Sequence, residues 1–185
     1  MAKPLPDLRI EALARQHDRK GCSCGVDSLD RYLRTQASED VRRKANAVFV
    51  LIERSNPRDV LGYYTLCATT LAQGDVPPTA RKHVPRYPLV SATLVGRLAV
   101  SEARQGQRLG AMLLADAVQR AYRTASTVGS SMLVVDAINE RAAAFYEGNG
   151  FVRLPDSVRL VLPMRTIQKL MSRAASMPHH SDPGR

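Results

Sequence analysis

Cysteine is scarce in this 185-residue chain: Cys22, Cys24 and Cys67 are all there are. An odd, small number makes no disulfide framework and suits a reducing compartment. Cys22-x-Cys24 has the wrong spacing for a zinc knuckle. His17, His83, His179 and His180 complete no metal-binding or triad pattern, so no metal is expected. Long apolar runs are missing as well. No segment approaches the ~18 uninterrupted apolar residues of a membrane span, and the start, Met1-Ala2-Lys3-Pro4-Leu5-Pro6, lacks the apolar core of a secretion signal. The expectation is a cytoplasmic protein with no membrane association. Acidic residues are in deficit, 17 against 27 Lys and Arg, for a net charge of +10. That balance says nothing about fold, but it favours polyanionic partners bound in a salt-sensitive way.

What the chain does have is enough apolar content, 44%, for one packed core. Residues 1–171 are expected to form a single domain, and the polar stretch 172–185 a disordered tail. Residues 8–13 read as a first strand. Asp27 or Ser28 caps a helix whose Leu29, Tyr32, Leu33, Ala37 and Val41 recur at helical spacing. Residues 47–52 and 60–68 form a hairpin around Ser55-Asn56-Pro57-Arg58-Asp59. Residues 73–88 are a proline-punctuated loop, and Leu89–Val100 is a long strand. Leu113, Leu114, Ala117, Val118 and Ala121 make the buried stripe of the next helix, and residues 158–162 form a last strand ended by Pro163. The layout is α+β, with a mixed, mostly antiparallel central sheet flanked by helices.

The most informative stretch follows that long strand: Gln105-Gly106-Gln107-Arg108-Leu109-Gly110-Ala111, opening into Met112-Leu113-Leu114. A strand, a small-residue turn and a helix start together make an anion site. Unpaired amides and the helix dipole point at the ligand there. The spacing excludes a nucleoside-triphosphate loop, because no Lys follows Gly110. It also lacks the three glycines of a dinucleotide fingerprint. A second stretch adds chemistry. Residues 131–138 read as a buried strand, then Asn139 caps an alanine-rich helix that carries Phe145 and Tyr146 and stops at Gly148-Asn149-Gly150.

Together these stretches resemble the GNAT (Gcn5-related) N-acetyltransferases, and with them the GNAT-like fold. In that family a Gln/Arg-x-x-Gly-x-Gly/Ala segment cradles the pyrophosphate of acetyl coenzyme A (acetyl-CoA). Here Arg108 replaces the first motif glycine and Gly110 stands at the second. Arg108 keeps its amide available for the ligand if its φ is negative, and its guanidinium adds a phosphate contact. The run from Cys24-Gly25-Val26-Asp27 through Gly62-Tyr63-Tyr64, Tyr87-Pro88-Leu89, Gly96-Arg97-Leu98 and Val135-Asp136-Ala137 is similar, over roughly residues 8–168, to the TacT-type toxins that acetylate aminoacyl-tRNA.

The resemblance implies the site. Strands four and five splay, and the pantetheine arm lies along Leu98, Ala99 and Val100. Gln105, Gly106, Gln107, Arg108, Leu109, Gly110 and Ala111 hold the pyrophosphate. Asn139 and Phe145 flank the reactive end, and Tyr146 is the general acid for the leaving thiolate. A phenol with pKa ~10 is protonated at neutral pH and can donate. The resemblance also implies a homodimer and an antitoxin with a ribbon-helix-helix DNA-binding part. Arg42, Arg43 and Lys44, then Arg81, Lys82 and Arg86, then Arg97, are the candidate tRNA contacts. No carboxylate base is evident; Glu102 and Glu140 lie near the loops in sequence only. An α-amine, at ~7.7–8.0, needs less help than a lysine at ~10.4. The expected function is thus acetyl transfer to the α-amine of aminoacyl-tRNA, blocking translation. Two readings stay open: acetylation of protein N-termini or small amines, and a DNA-binding or corepressor module with a vestigial coenzyme site.

Overall fold

The computed structural model describes residues 7–175. Its elements run β1 (Leu8–Ala12), α1 (Asp27–Thr35), α2 (Ala37–Arg43), β2 (Ala47–Glu53), β3 (Gly62–Ala72), α3 (Pro78–Arg81), β4 (Leu89–Val100), α4 (Leu109–Val128), β5 (Met132–Asp136), α5 (Glu140–Gly148), β6 (Val152–Arg153), β7 (Arg159–Pro163) and α6 (Met164–Ala175). The strands form one sheet in the order β1-β2-β3-β4-β5-β7-β6. Only β4 and β5 run parallel, with α4 as the crossover between them.

The period-2 alternation of the strands divides the core between the two faces of the sheet. On β2 and β3, Leu51 and Tyr64 face one side with Leu113, Leu114, Ala117 and Ala121 of α4. Val50, Ile52 and Tyr63 face the other, against Leu29, Tyr32 and Leu33 of α1 and Ala37 of α2. Each fully buried side chain of this size contributes roughly 1.5–3 kcal/mol of transfer free energy. The helix stripe expected for α4 is therefore the stripe that packs.

Several expectations are corrected. The first helical region is two helices, broken at Gln36, and Val26 is the N-cap rather than Asp27 or Ser28. Val41, in the second of these helices, lies outside the buried stripe and is 37% exposed. β3 extends to Ala72, since β4 offers it partners all the way to Leu89. Within 73–88, Pro78 starts the four-residue helix α3, a position where its missing N–H costs nothing. Pro163 is the last residue of β7, paired with Met132. The next amide, of Met164, bonds the Ser131 carbonyl at 2.9 Å. The imide nitrogen of Pro163 thus points away from β5, where β6 no longer reaches. The chain then continues as α6, which sequence reading missed. Met164 and Ile167 are buried and Met171 is partly so, a helical spacing present in the sequence. Residues 172–175, assigned to a disordered tail, belong to this helix; residues 176–185 lie outside the described residues. No helix among the described residues is long and apolar enough to cross a membrane.

Candidate active site

β4 pairs with β5 only from Ala92↔Met132 to Val95↔Val135. At that point β4 bulges. Against β3, Leu66 pairs with Val95 and Thr65 with Arg97, so Gly96 is the extra residue. A bulge bends its strand and increases local twist. The last stretch of β4, Leu98, Ala99 and Val100, stays with β3 and leaves β5 behind. Gly62 of β3 makes this approach possible, because a Cβ there would sit 2.7 Å from the Ala99 carbonyl oxygen. The gap becomes a cleft of about 590 Å³.

The loop after β4 forms one wall. The Gln105 side-chain amide donates to the carbonyls of Cys24 and Val100, both at 3.1 Å. That ties the loop to the segment before α1. This segment is itself held by Asp30, whose carboxylate accepts from the Cys24 amide and the Ser23 hydroxyl, both at 2.8 Å. Burial opposes the Asp30 charge, but these bonds and nearby Arg34 outweigh it and hold the carboxyl below its usual range. The Gln105 amide is spent on Glu102. The amides of Gly106, Gln107, Arg108, Leu109, Gly110 and Ala111 have no acceptor among the described residues. α4 begins at Leu109, so these amides sit at its positive end.

Arg108 departs from expectation. Its φ is +60°, not negative, and Gly106 is at +78°. The left-handed conformation suits a glycine, the residue that the family pattern has at this position.

The opposite wall is α5. Asn139 caps it, accepting from the Ala142 amide at 2.9 Å, so that oxygen is already engaged. Tyr146 is 7% exposed and meets Phe145 and Phe151 edge-on, with ring centroids 5.2 and 5.7 Å away. Burial pushes its phenol up to about 12. Tyr32, Tyr63 and Tyr64, the other buried tyrosines, each place the hydroxyl on a protein acceptor: Asp40, the Leu29 carbonyl and Asp116. The Tyr146 hydroxyl takes none among the described residues, although a tyrosine that merely packs would bond its hydroxyl to backbone.

Leu98, Ala99, Val100, Gln105, Gly106, Arg108, Leu109, Gly110, Ala111, Asn139, Phe145 and Tyr146 all line this cleft. Of the sequence-assigned coenzyme residues only Gln107 is not among its lining. Sequence reading missed Cys24, Val26 and Leu29, which arrive from the α1 side, Arg104 of the loop after β4, and Ile138, Arg141 and Ala142 around the start of α5. No local signal marks the first three. Arg141 was visible as a basic residue in the first turn of a helix. The Cys24 thiol, pushed up to about 11 by burial, is protonated and a poor nucleophile. Glu140 is no base: it holds Arg153 through both oxygens, at 3.1 and 2.9 Å, which keeps its carboxyl below the usual range.

None of the candidate tRNA contacts lines the cleft. Arg42 and Arg43 pair with Glu39, and Lys44 ends α2 in the left-handed region. Arg81 folds onto the carbonyls of Gly74 and Val76 at 2.9 Å. Lys82 and Arg86 are exposed, without a carboxylate partner among the described residues. Arg97 lies over the Tyr32 ring, 3.6 Å from its centroid.

Residues 45–153 match the family model described as an acetyltransferase (GNAT) domain. A tRNA-acetylating toxin of Mycobacterium tuberculosis is 33% identical over 150 residues, which is 80% of this chain and 87% of the toxin. AtaT complexed with acetyl-methionyl-tRNAfMet is similar at a TM-score of 0.82 and 32% identity, covering 89% of this chain and 99% of AtaT. A tyrosine-to-phenylalanine mutant of AtaT bound to the C-terminus of the antitoxin AtaR and acetyl-CoA gives 0.76 and 30%, covering 90% and 99%.

Proposed function

The chain belongs to the GNAT acetyltransferase family, and from that premise we propose that it is a toxin that moves the acetyl group of acetyl-CoA onto the α-amine of the amino acid on charged tRNA. Translation stops because a blocked amine cannot form a peptide bond. An antitoxin protein holds the enzyme in check.

One observation carries the chemistry: the unpaired amides of residues 106–111 and the unbonded hydroxyl of Tyr146 border a single cleft, beside the stretch of β4 that β5 leaves. A diphosphate on those amides would send a pantetheine arm along Leu98, Ala99 and Val100 and bring its sulfur toward Tyr146. Phe145 would flank the reactive end. The amine nitrogen attacks the thioester carbon, the C–S bond breaks, the nitrogen sheds one proton and the sulfur gains one. Tyr146, protonated because burial pushes its phenol up to about 12, donates toward the departing sulfur. The proton shed by the nitrogen restores it.

The acceptor follows from the relatives and from the acid–base inventory. With Glu140 committed to Arg153, an acceptor that is partly neutral near pH 7 fits best, and an α-amine at ~7.7–8.0 is one. Lys44, Lys82 and Arg86, exposed and without a carboxylate partner among the described residues, are the cations free to meet RNA phosphates, with Arg42, Arg43 and Arg97 beside them in the proposal. The reading extends to a homodimer, to an antitoxin with a ribbon-helix-helix DNA-binding part, and to action in the cytoplasm, where charged tRNA is found. Incubation with labelled acetyl-CoA and bulk charged tRNA tests it. Label on the aminoacyl group is the expected result; label found only in peptide or polyamine rejects this acceptor.

A further inference from the structure

Arg141 lies in the first turn of α5 and lines the cleft. A cation there opposes the helix dipole, at a cost of roughly 0.3–1 kcal/mol. The neighbouring acid that would offset it is unavailable, because Glu140 and Glu147 are both turned to Arg153. Arg141 itself has no carboxylate partner among the described residues. An exposed, unpaired guanidinium that its helix disfavours and that borders a substrate cleft is free to take an anion there.

Which anion follows from position. Acetyl-CoA, the ligand on which this inference rests through the reading above, carries a diphosphate within its chain and a separate monoester phosphate on the ribose 3′ oxygen. The diphosphate finds neutral donors on the opposite wall, in the amides of residues 106–111. Arg104 and Arg108 also line the cleft, but Arg104 is engaged with Glu53 at 3.2 Å and Arg108 belongs to the loop beside those amides, on the diphosphate's wall. The 3′ monoester, a second and separate charge, needs a cation of its own. Five residues separate Arg141 from Tyr146, a rise of roughly 7.5 Å along α5. With the sulfur at Tyr146, Arg141 stands toward the nucleotide end.

We propose that Arg141 recognises the 3′-phosphate of the coenzyme, so that this chain takes its acetyl group from coenzyme A in preference to carriers lacking that phosphate: 3′-dephospho-coenzyme A, or phosphopantetheine on a carrier protein. The test is calorimetric titration of the full chain and of Arg141→Gln with coenzyme A and with 3′-dephospho-coenzyme A, followed by KM and kcat with the two acetylated forms. The wild type should bind coenzyme A about 10-fold more tightly than the dephospho form. Arg141→Gln should lose that preference, raise KM for acetyl-CoA by a similar factor and leave kcat unchanged. Its affinity for the dephospho form should equal that of the wild type. Equal loss on both coenzymes would assign the guanidinium to the diphosphate and overturn the proposal, as would no loss on either. These titrations contain no acceptor, so they stand whichever amine is acetylated. A wild type that binds neither coenzyme would overturn both this inference and the acetyl-transfer reading.

Discussion

The side-chain amide of Gln105 donates to the main-chain carbonyl of Cys24 at 3.1 Å, across 81 residues of sequence. A second bond of the same length, to the Val100 carbonyl, makes Gln105 a clip between the end of β4, the phosphate-facing loop and the approach to α1. The clip orders the amides that face the cleft before any ligand arrives. Such preorganisation lowers the cost of binding.

Gln105→Ala removes both bonds and leaves the loop amides without their anchor. Two hydrogen bonds at about 1 kcal/mol each predict a 10- to 30-fold weaker affinity for acetyl-CoA. Titration with the coenzyme checks this, and kcat at saturation should change little.

Tyr146→Phe keeps the ring packing on Phe145 and Phe151 and removes only the donor. The expected outcome is a kcat lower by about 10²–10⁴-fold with coenzyme affinity preserved. The pH dependence has a definite sign. Tyr146 acts in its protonated form and keeps its proton until about pH 12. Wild-type kcat/KM should therefore rise with pH as the acceptor amine loses its proton, and show no falling limb up to pH 10. A decline centred below pH 10 would remove Tyr146 from this role.

Arg108→Gly should stabilise the protein. An L-residue in the left-handed region costs about 1–2 kcal/mol, part of which glycine gives back in unfolded-state entropy, for a net gain of up to about 1 kcal/mol. Arg108→Ala keeps the positive φ and should bring no gain. Thermal melts of the two variants separate backbone strain from loss of the guanidinium.

Asp30→Asn should lower thermal stability at neutral pH by about 1–3 kcal/mol, because it weakens the bonds to the Cys24 amide and the Ser23 hydroxyl. The folded-state pKa of Asp30 lies below the ordinary value. Its contribution is present above the unfolded-state pKa of ~3.9 and is lost as pH falls through the lower folded-state value. The gap between wild type and variant should close on acidification in melts from pH 7 downward, and a gap that widens would contradict the assignment.

The basic residues of the 73–88 segment should divide by partner. Arg81 is spent on the carbonyls of Gly74 and Val76. Arg81→Ala should therefore lower the melting temperature and leave the salt dependence of tRNA binding alone. Lys82→Ala and Arg86→Ala should leave stability alone and reduce the slope of log K against log salt by about 1 each. Filter-binding isotherms across salt concentrations measure both.

Much of this protein was legible along the chain. The bounds of β4, Leu89–Val100, follow from Pro88 before it and the polar loop after it. The cap at Asn139 and the stripe of α4 follow from propensity and periodicity, which act over a few residues and are therefore written locally. The anion-binding turn before α4 was legible in the residues themselves; the cleft as a whole was legible only by resemblance. Local signals failed where neighbours in space decided: at Gln36, where one helical stripe divides into two helices; at Pro163, whose missing donor lies past the end of β6; and at Arg108, held left-handed by the loop. The meeting of Cys24, Gln105, Arg141 and Tyr146 was beyond local reading altogether. It depends on strand register and on one bulge at Gly96, and those are settled by pairings between segments far apart in sequence.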